Sequence, residues 1–375
     1  MMLSKFYVLL FVPFVLSSLG NDERCEFTDI TEVFGFYGQN RYSYCPSLVK
    51  EDDGTVHMFF CGNPTPGIMV DNIYHIRINP DGTKTSAKSV LQPGPPGSWD
   101  DHHTCDPSVI AGEFRMGGQK YKYAMFFLTN KYGVYYNEIG VAFSNQLDAD
   151  HWIKFPELLV TKTWVSEGDQ PLGSRKSWGV GQPSAVSLDN KGKALLTYTI
   201  GDIEGTRIVW TRIDMSDMNA YSSTPTTTMI TTGLRNINST DDDVTCNADF
   251  ATCPSEDMIV MVRPLRPHDT QYPSFINTSL EVNCMKLSEF LASTGKWTSM
   301  LRITPVETNF PRNHNAGIER DIYGRISSWK TPVVYFTVSK AAPDVNASTD
   351  QCAEWTYHIY KGVLTNRPCF SRVDK

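Results

Sequence analysis

Short apolar runs broken by turn residues occur along the whole chain, and five of them share one plan. Tyr44-Cys45-Pro46-Ser47-Leu48-Val49 leads through the turn Glu51-Asp52-Asp53-Gly54 into Val56-His57-Met58-Phe59-Phe60. Cys105-Asp106-Pro107-Ser108-Val109-Ile110 leads to Tyr121-Lys122-Tyr123-Ala124-Met125-Phe126-Phe127. Gly181-Gln182-Pro183-Ser184-Ala185-Val186 turns at Asp189-Asn190-Lys191-Gly192 and returns as Ala194-Leu195-Leu196-Thr197-Tyr198. Fainter copies open at Asn247-Ala248-Asp249-Phe250 and Asn315-Ala316-Gly317-Ile318. Pro46, Pro107 and Pro183 lie 61 and 76 residues apart, and Ala248 and Ala316 follow at 65 and 68. The runs are rich in β-branched and aromatic residues and bounded by turn formers, so they read as strands. A third strand follows each pair, at 73–77, 139–144, 208–212, 280–284 and 355–360. One short helix is expected at 285–292.

A period of this length with several strands per copy predicts an all-β chain, a five-bladed β-propeller with four antiparallel strands per blade. The blades use up residues 21–375 as a single domain. The segments 93–97 and 222–228 read as loops between blades. In a propeller the first strand of each blade lines the central axis. The openings therefore bring Cys45, Asp106, Gln182, Asn247 with Asp249, and His314 with Asn315 to one funnel, and a convergent polar set in a concavity is a binding-site signature.

Residues 1–20 read as a secretory signal peptide. Lys5 precedes an apolar stretch too short to span a membrane, and Ser18 and Gly20 suit cleavage. The protein is therefore expected to be secreted and extracellular. A net charge of −7 without a basic run argues against nucleic acid or an anionic membrane as partner. The expected state is a monomer. Nine cysteines fit an oxidised compartment. Cys45 and Cys61 lie symmetrically about the turn at Asp53, which suggests a cross-strand bridge, and Cys25 with Cys352 or Cys369 can fasten the ends. Asn238, Asn277 and Asn346 head glycosylation sequons.

Trp99-Asp100-Asp101, Asp106-Pro107-Ser108-Val109-Ile110, Ile139-Gly140-Val141-Ala142-Phe143-Ser144 and Trp152 together resemble the furanosidase-type five-bladed propellers, glycoside hydrolase family 43 and the invertase-like and levansucrase-like enzymes. His314-Asn315 is similar to the family 43 histidine-asparagine pair, whose histidine faces the channel and often contacts calcium. The resemblance implies a glycan partner, no required cofactor, a calcium ion as an option near His314, and three axial carboxylates: general base, modulator and general acid. The modulator position matches Asp106. The base position matches Cys45 and the acid position Gln182, neither of which does that work in the standard mechanism.

Two readings follow: a glycoside hydrolase with a rearranged carboxylate set, and a non-catalytic sugar-binding or interaction protein on the same scaffold. Asp249 and Glu319 are the replacement carboxylates to consider, Glu319 on condition that strand alternation turns Ile318 away from the funnel. Asp101 and Asp202 read as turn carboxylates. Tyr44, Trp99 and Trp178 are aromatic platforms for a sugar ring or packing between blades. Arg263 can hold a substrate oxygen or pair with a local acid. His314 is the metal candidate or a buried core histidine. His102 and His103, adjacent on an extended chain, point to opposite faces and do not share a metal.

Overall fold

The computed structural model describes residues 26–38, 41–65, 70–134, 136–162, 179–202, 205–234, 246–265, 278–339 and 357–365. The leader, Trp178, the sequon asparagines Asn238, Asn277 and Asn346, and Cys25, Cys352 and Cys369 lie outside the described residues. The chain is all-β apart from short helical turns, one of them the expected helix, Leu287–Leu291. Among the described residues no helix is long and apolar enough to cross a membrane.

The strands form four sheets, the largest of which joins two antiparallel units through one parallel strand pair, so five antiparallel units are distinguished. The first is Tyr42–Lys50, Val56–Asn63, Asn72–Ile78 and Lys88–Leu91. The second is His103–Met116, Gln119–Asn130, Glu138–Ser144 and Ile153–Lys154. The third is Gly179–Ser187, Lys193–Asp202 and Gly205–Asp214, edged by Ser222–Ser223 and Thr227–Thr228. The fourth is Asp249–Cys253, Met258–Leu265, Ser279–Lys286 and Thr298–Ile303. The fifth is Asn313–Asp321, Val333–Val338 and His358–Thr365. Its outer strand is Glu26–Phe34, from the other end of the chain, paired antiparallel with His358–Thr365. Segment 222–228, read from sequence as a loop, is instead a broken edge strand. It bonds the third unit at Ile213, Asp214, Val209 and Trp210.

The second strands show why the repeat is legible. Val56–Asn63 is buried along its whole length, because alternate side chains enter two different apolar layers. Met58 and Phe60 pack with Tyr335 and Ile359 of the fifth unit, whereas Phe59 packs with Val109 and Met125 of the second. Ala124 and Phe126 face the third unit, and Leu195 faces the fourth. Val260 and Val262 join Ile318 and Val334 of the fifth. Burial on both faces converts the usual strand alternation into continuous apolar runs. The layers link each unit to the next and the fifth back to the first, where Glu319, Arg320 and Asp321 also pair in parallel with Leu48, Val49 and Lys50.

Two histidines are buried in the first unit. His57 Nδ1 lies 2.9 Å from His75 Nε2, and His57 Nε2 lies 3.1 Å from Glu51 Oε2. If His57 donates to Glu51, its other nitrogen accepts from His75, and His75 Nδ1 is left buried without a partner, as observed. Burial holds both imidazoles below the ordinary value, His75 at about 3. A histidine whose folded pKa is depressed binds its proton more tightly in the unfolded chain. For His75 stability is therefore lost as pH falls from about 6.5 toward 3, by about 1.4 kcal/mol per pH unit, and His57 acts in the same direction. His75→Gln is expected to flatten urea-unfolding stability between pH 6 and 4 by about that slope. An unchanged slope would remove His75 from the acid response.

Candidate axial site

The five openings repeat in backbone conformation as well as in sequence. Cys45, Asp106, Gln182, Asn247 and Asn315 take φ of 51°, 45°, 54°, 46° and 44°. Left-handed backbone costs an L-residue about 1–2 kcal/mol, less for Asn and Asp. In four openings the strand pairing shifts register directly after this residue, between Tyr44 and Ser47, Cys105 and Ser108, Gly181 and Ser184, and His314 and Gly317. In the fourth unit the strand begins at Asp249, two residues on. These are bulges, which free one residue from the ladder and re-aim it. Proline follows in three openings because a bulge does not need its N–H.

The re-aimed side chains meet. Cys45, Asp106, Gln182, Asn247, Asp249 and Asn315 line one cavity together with the proline or alanine of each opening. Its described part leaves about 30 Å³ open to water, room for about one or two molecules. The Asn247 N–H donates to Gln182 Oε1 at 2.7 Å, which fixes Gln182 as an acceptor bridging two units.

Cys45 is a thiol. The disulfide joins Cys61 to Cys105, stapling the first unit to the second with Cα atoms 5.0 Å apart. The expected Cys45–Cys61 bridge is thus corrected: Cys61 pairs in register with Tyr44, and the bulge turns Cys45 toward the axis. Asn315 Nδ2 donates to Cys45 Sγ at 2.8 Å. The Asp106 carboxyl lies within 4.8 Å of the thiol; burial, then the Asp106 charge, raises the thiol pKa well above the usual range. Asp106 is raised to about 6, chiefly by burial and less by the Asp71 charge, against the lowering effect of the Cys45 thiol. The sulfurs of Cys45, Cys61 and Cys105 and an Asp106 oxygen lie within 4.8 Å of one another. The disulfide withholds two of these donors, so the set does not fit a metal ion.

The other candidate carboxylates are engaged. Asp249 Oδ1 accepts from Ser184 Oγ at 2.7 Å, and Oδ2 accepts from the Ile318 N–H at 2.8 Å. Arg320 Nη1 stands 3.3 Å from Oδ1. Arg320, absent from the sequence expectations, is fully buried beneath the cavity. It also donates to Ser108 Oγ at 3.0 Å, Ser184 Oγ at 3.4 Å and the Phe250 carbonyl, and so ties four units together. Glu319 does point opposite to Ile318, but it does not line the axial cavity. Lys50 Nζ at 2.7 Å and the Tyr335 hydroxyl at 3.1 Å hold it, beside a separate cavity with Asp321 and Arg325.

The remaining candidates sit away from the cavity wall. Arg263 is fully buried and pairs with Glu281, its cross-strand neighbour, at 2.7 Å; it is a local ion pair. Trp99 donates Nε1–H to the Pro156 carbonyl at 3.0 Å and lies over Phe127, so it packs. Tyr44 stands behind Cys45 with its hydroxyl 3.0 Å from Asp71 Oδ2. His314 is buried against Tyr357, with Nε2 3.3 Å from Ser339 Oγ. Burial and then the Arg312 charge hold it neutral. A guanidinium beside it and no carboxylate against it do not fit a calcium site among the described residues. The rings of His102 and His103 are 3.9 Å apart, contrary to the alternation argument, because the strand begins only at His103.

No protein-family model matches the sequence, and no curated protein matches it. Solved structures do. A family 117 glycoside hydrolase from the marine bacterium Zobellia galactanivorans superposes with a TM-score of 0.57 at 10% identity, covering 93% of this chain and 94% of that one. An α-L-arabinofuranosidase from Lactobacillus brevis gives 0.56 at 10% identity over 87% and 91%. The GH43_1 enzyme from Xanthomonas citri gives 0.54 at 12% over 91% of each chain. This chain therefore shares the fold of these glycoside hydrolases, and at this identity the likeness is one of fold alone.

Proposed function

We propose that this chain is a secreted five-bladed β-propeller, each unit a blade, that binds a glycan over the mouth of the axial cavity and hydrolyses a glycosidic bond with Asp106 as the carboxyl group that carries the proton. The observation behind it is Asp106 itself. It is the one cavity carboxylate not neutralised by a buried cation, and burial has moved it to about 6, within reach of both protonation states near neutrality. Arabinofuranosidases among the structural neighbours support a pentofuranoside as substrate. The second reading, a glycan-binding protein without turnover, draws on Asp249 and Glu319 being held by Arg320, Lys50 and Tyr335.

The deciding experiment incubates the purified mature protein with aryl arabinofuranosides, xylosides, fructosides and galactosides and with the corresponding oligosaccharides, and follows release of sugar. Turnover of a furanoside is the expected result. Binding of an oligosaccharide by calorimetry without release over days would favour the second reading, and neither binding nor release would reject both.

A further inference from the structure

The axial cavity offers one unencumbered carboxylate where hydrolysis needs two functional groups, and its nearest reactive neighbour is a thiol. Cys45 and Asp106 come from adjacent units, and each is more than nine-tenths buried while still lining the cavity. Cys45 also holds a left-handed backbone that cysteine adopts only at a cost, and strain of this kind gathers at functional positions. Asn315, from a third unit, donates to the sulfur. The Cys61–Cys105 disulfide occupies the two other sulfurs and leaves the one that faces the cavity as a thiol.

We propose that Cys45 is the nucleophile of this site and that hydrolysis runs through a sugar bonded to its sulfur. The inference rests on the hydrolase reading above. In the first displacement the Asp106 carboxylate takes the thiol proton as Sγ forms a bond to the anomeric carbon. The glycosidic C–O bond breaks, and its oxygen leaves with the proton from Asp106. In the second, water attacks the anomeric carbon and gives its proton to Asp106. The C–S bond breaks with its electron pair on sulfur, and Asp106 returns a proton to the thiol. One water is consumed, nothing is oxidised, and two inversions give retention. Asn315 stabilises charge developing on the sulfur in both steps. Cys45 Sγ and an Asp106 oxygen lie no more than 4.8 Å apart, well below the roughly 6.5–9.5 Å that leaves room for direct attack by water. Asp106 is anionic at neutral pH and can take the proton. The thiol stays protonated until substrate arrives, which also protects the adjacent disulfide from exchange.

The test uses the full mature protein and the aryl furanoside it turns over in the panel. The product's anomeric configuration, followed by NMR on wild-type protein, is expected to be retained, and inversion would overturn the proposal without any variant. Cys45→Ala is expected to lose about 10³-fold or more in kcat with the Cys61–Cys105 bridge intact by peptide mapping; a loss of only a few-fold would overturn it. The profile of kcat/KM should rise through about pH 6 as the Cys45–Asp106 pair loses the first of its two protons, that of Asp106, and then stay level. A fall through pH 6 would make Asp106 a simple general acid and remove the nucleophile. Rapid quenching should trap a glycosyl adduct on the peptide that contains Cys45. A wild-type protein inert on the whole panel would instead overturn the hydrolase reading, and this inference with it.

Discussion

Asp106→Asn is expected to lower turnover of the furanoside by about 10²–10⁴-fold, the range in which a positioned proton carrier contributes, while making the protein more stable at pH 7. Asparagine fits because it keeps the side chain's shape and tolerates the left-handed backbone that Asp106 adopts at φ 45°. The stability gain comes from linkage. Burial raises Asp106 from 3.8 to about 6, so the native state binds that proton more tightly than the unfolded chain. Ionising the group in the fold costs stability that grows from about pH 4 to 6, and reaches about 3 kcal/mol above that. The variant lacks this cost, so its advantage should appear above pH 6 and vanish below 4. Urea unfolding at pH 7 and pH 4, with turnover measured alongside, checks both halves. Turnover within a few-fold of wild type would remove Asp106 from the chemistry, and equal stability at both pH values would mean that the carboxyl is solvated.

The repeat was visible in sequence because its cause is local. A residue with left-handed backbone stands before proline or alanine in every opening, and a strand buried on both faces leaves an unbroken apolar run after it. The axial set Cys45, Asp106, Gln182, Asn247, Asp249 and Asn315 follows from that alignment alone. What escaped depends on partners distant in sequence. Glu26–Phe34 alternates weakly and gains its place only by pairing with His358–Thr365. The Cys61–Cys105 bridge crosses between units, whereas the turn at Asp53 pointed to a partner within one. Strand alternation gave the face of Glu319 correctly but not its depth, and depth put it beside Lys50. Nothing local in Asp249-Phe250 announces a counter-ion on the strand that carries Arg320.

That ion pair carries the largest stability effect expected in the molecule. Arg320 has no exposed surface, whereas the Asp249 side chain keeps 14% of its own and borders the cavity. Removing either partner leaves the other charge behind, but not in equal circumstances. Asp249→Ala strands a guanidinium among Ser108, Ser184 and the Phe250 carbonyl, neutral acceptors only, and is expected to cost about 3–5 kcal/mol. Arg320→Met leaves a carboxylate that still accepts from Ser184 and the Ile318 N–H and can be reached by water, so it should cost less. The double change Asp249→Ala with Arg320→Met should destabilise less than the sum of the two, because it leaves no buried charge unpaired; the shortfall measures the coupling. Chemical denaturation of all four proteins closes the cycle. If Asp249→Ala unfolds within 1 kcal/mol of wild type while abolishing turnover, the roles reverse: Asp249 is then a second reacting carboxylate rather than the anchor of the axis, and a two-carboxylate mechanism displaces the thiol.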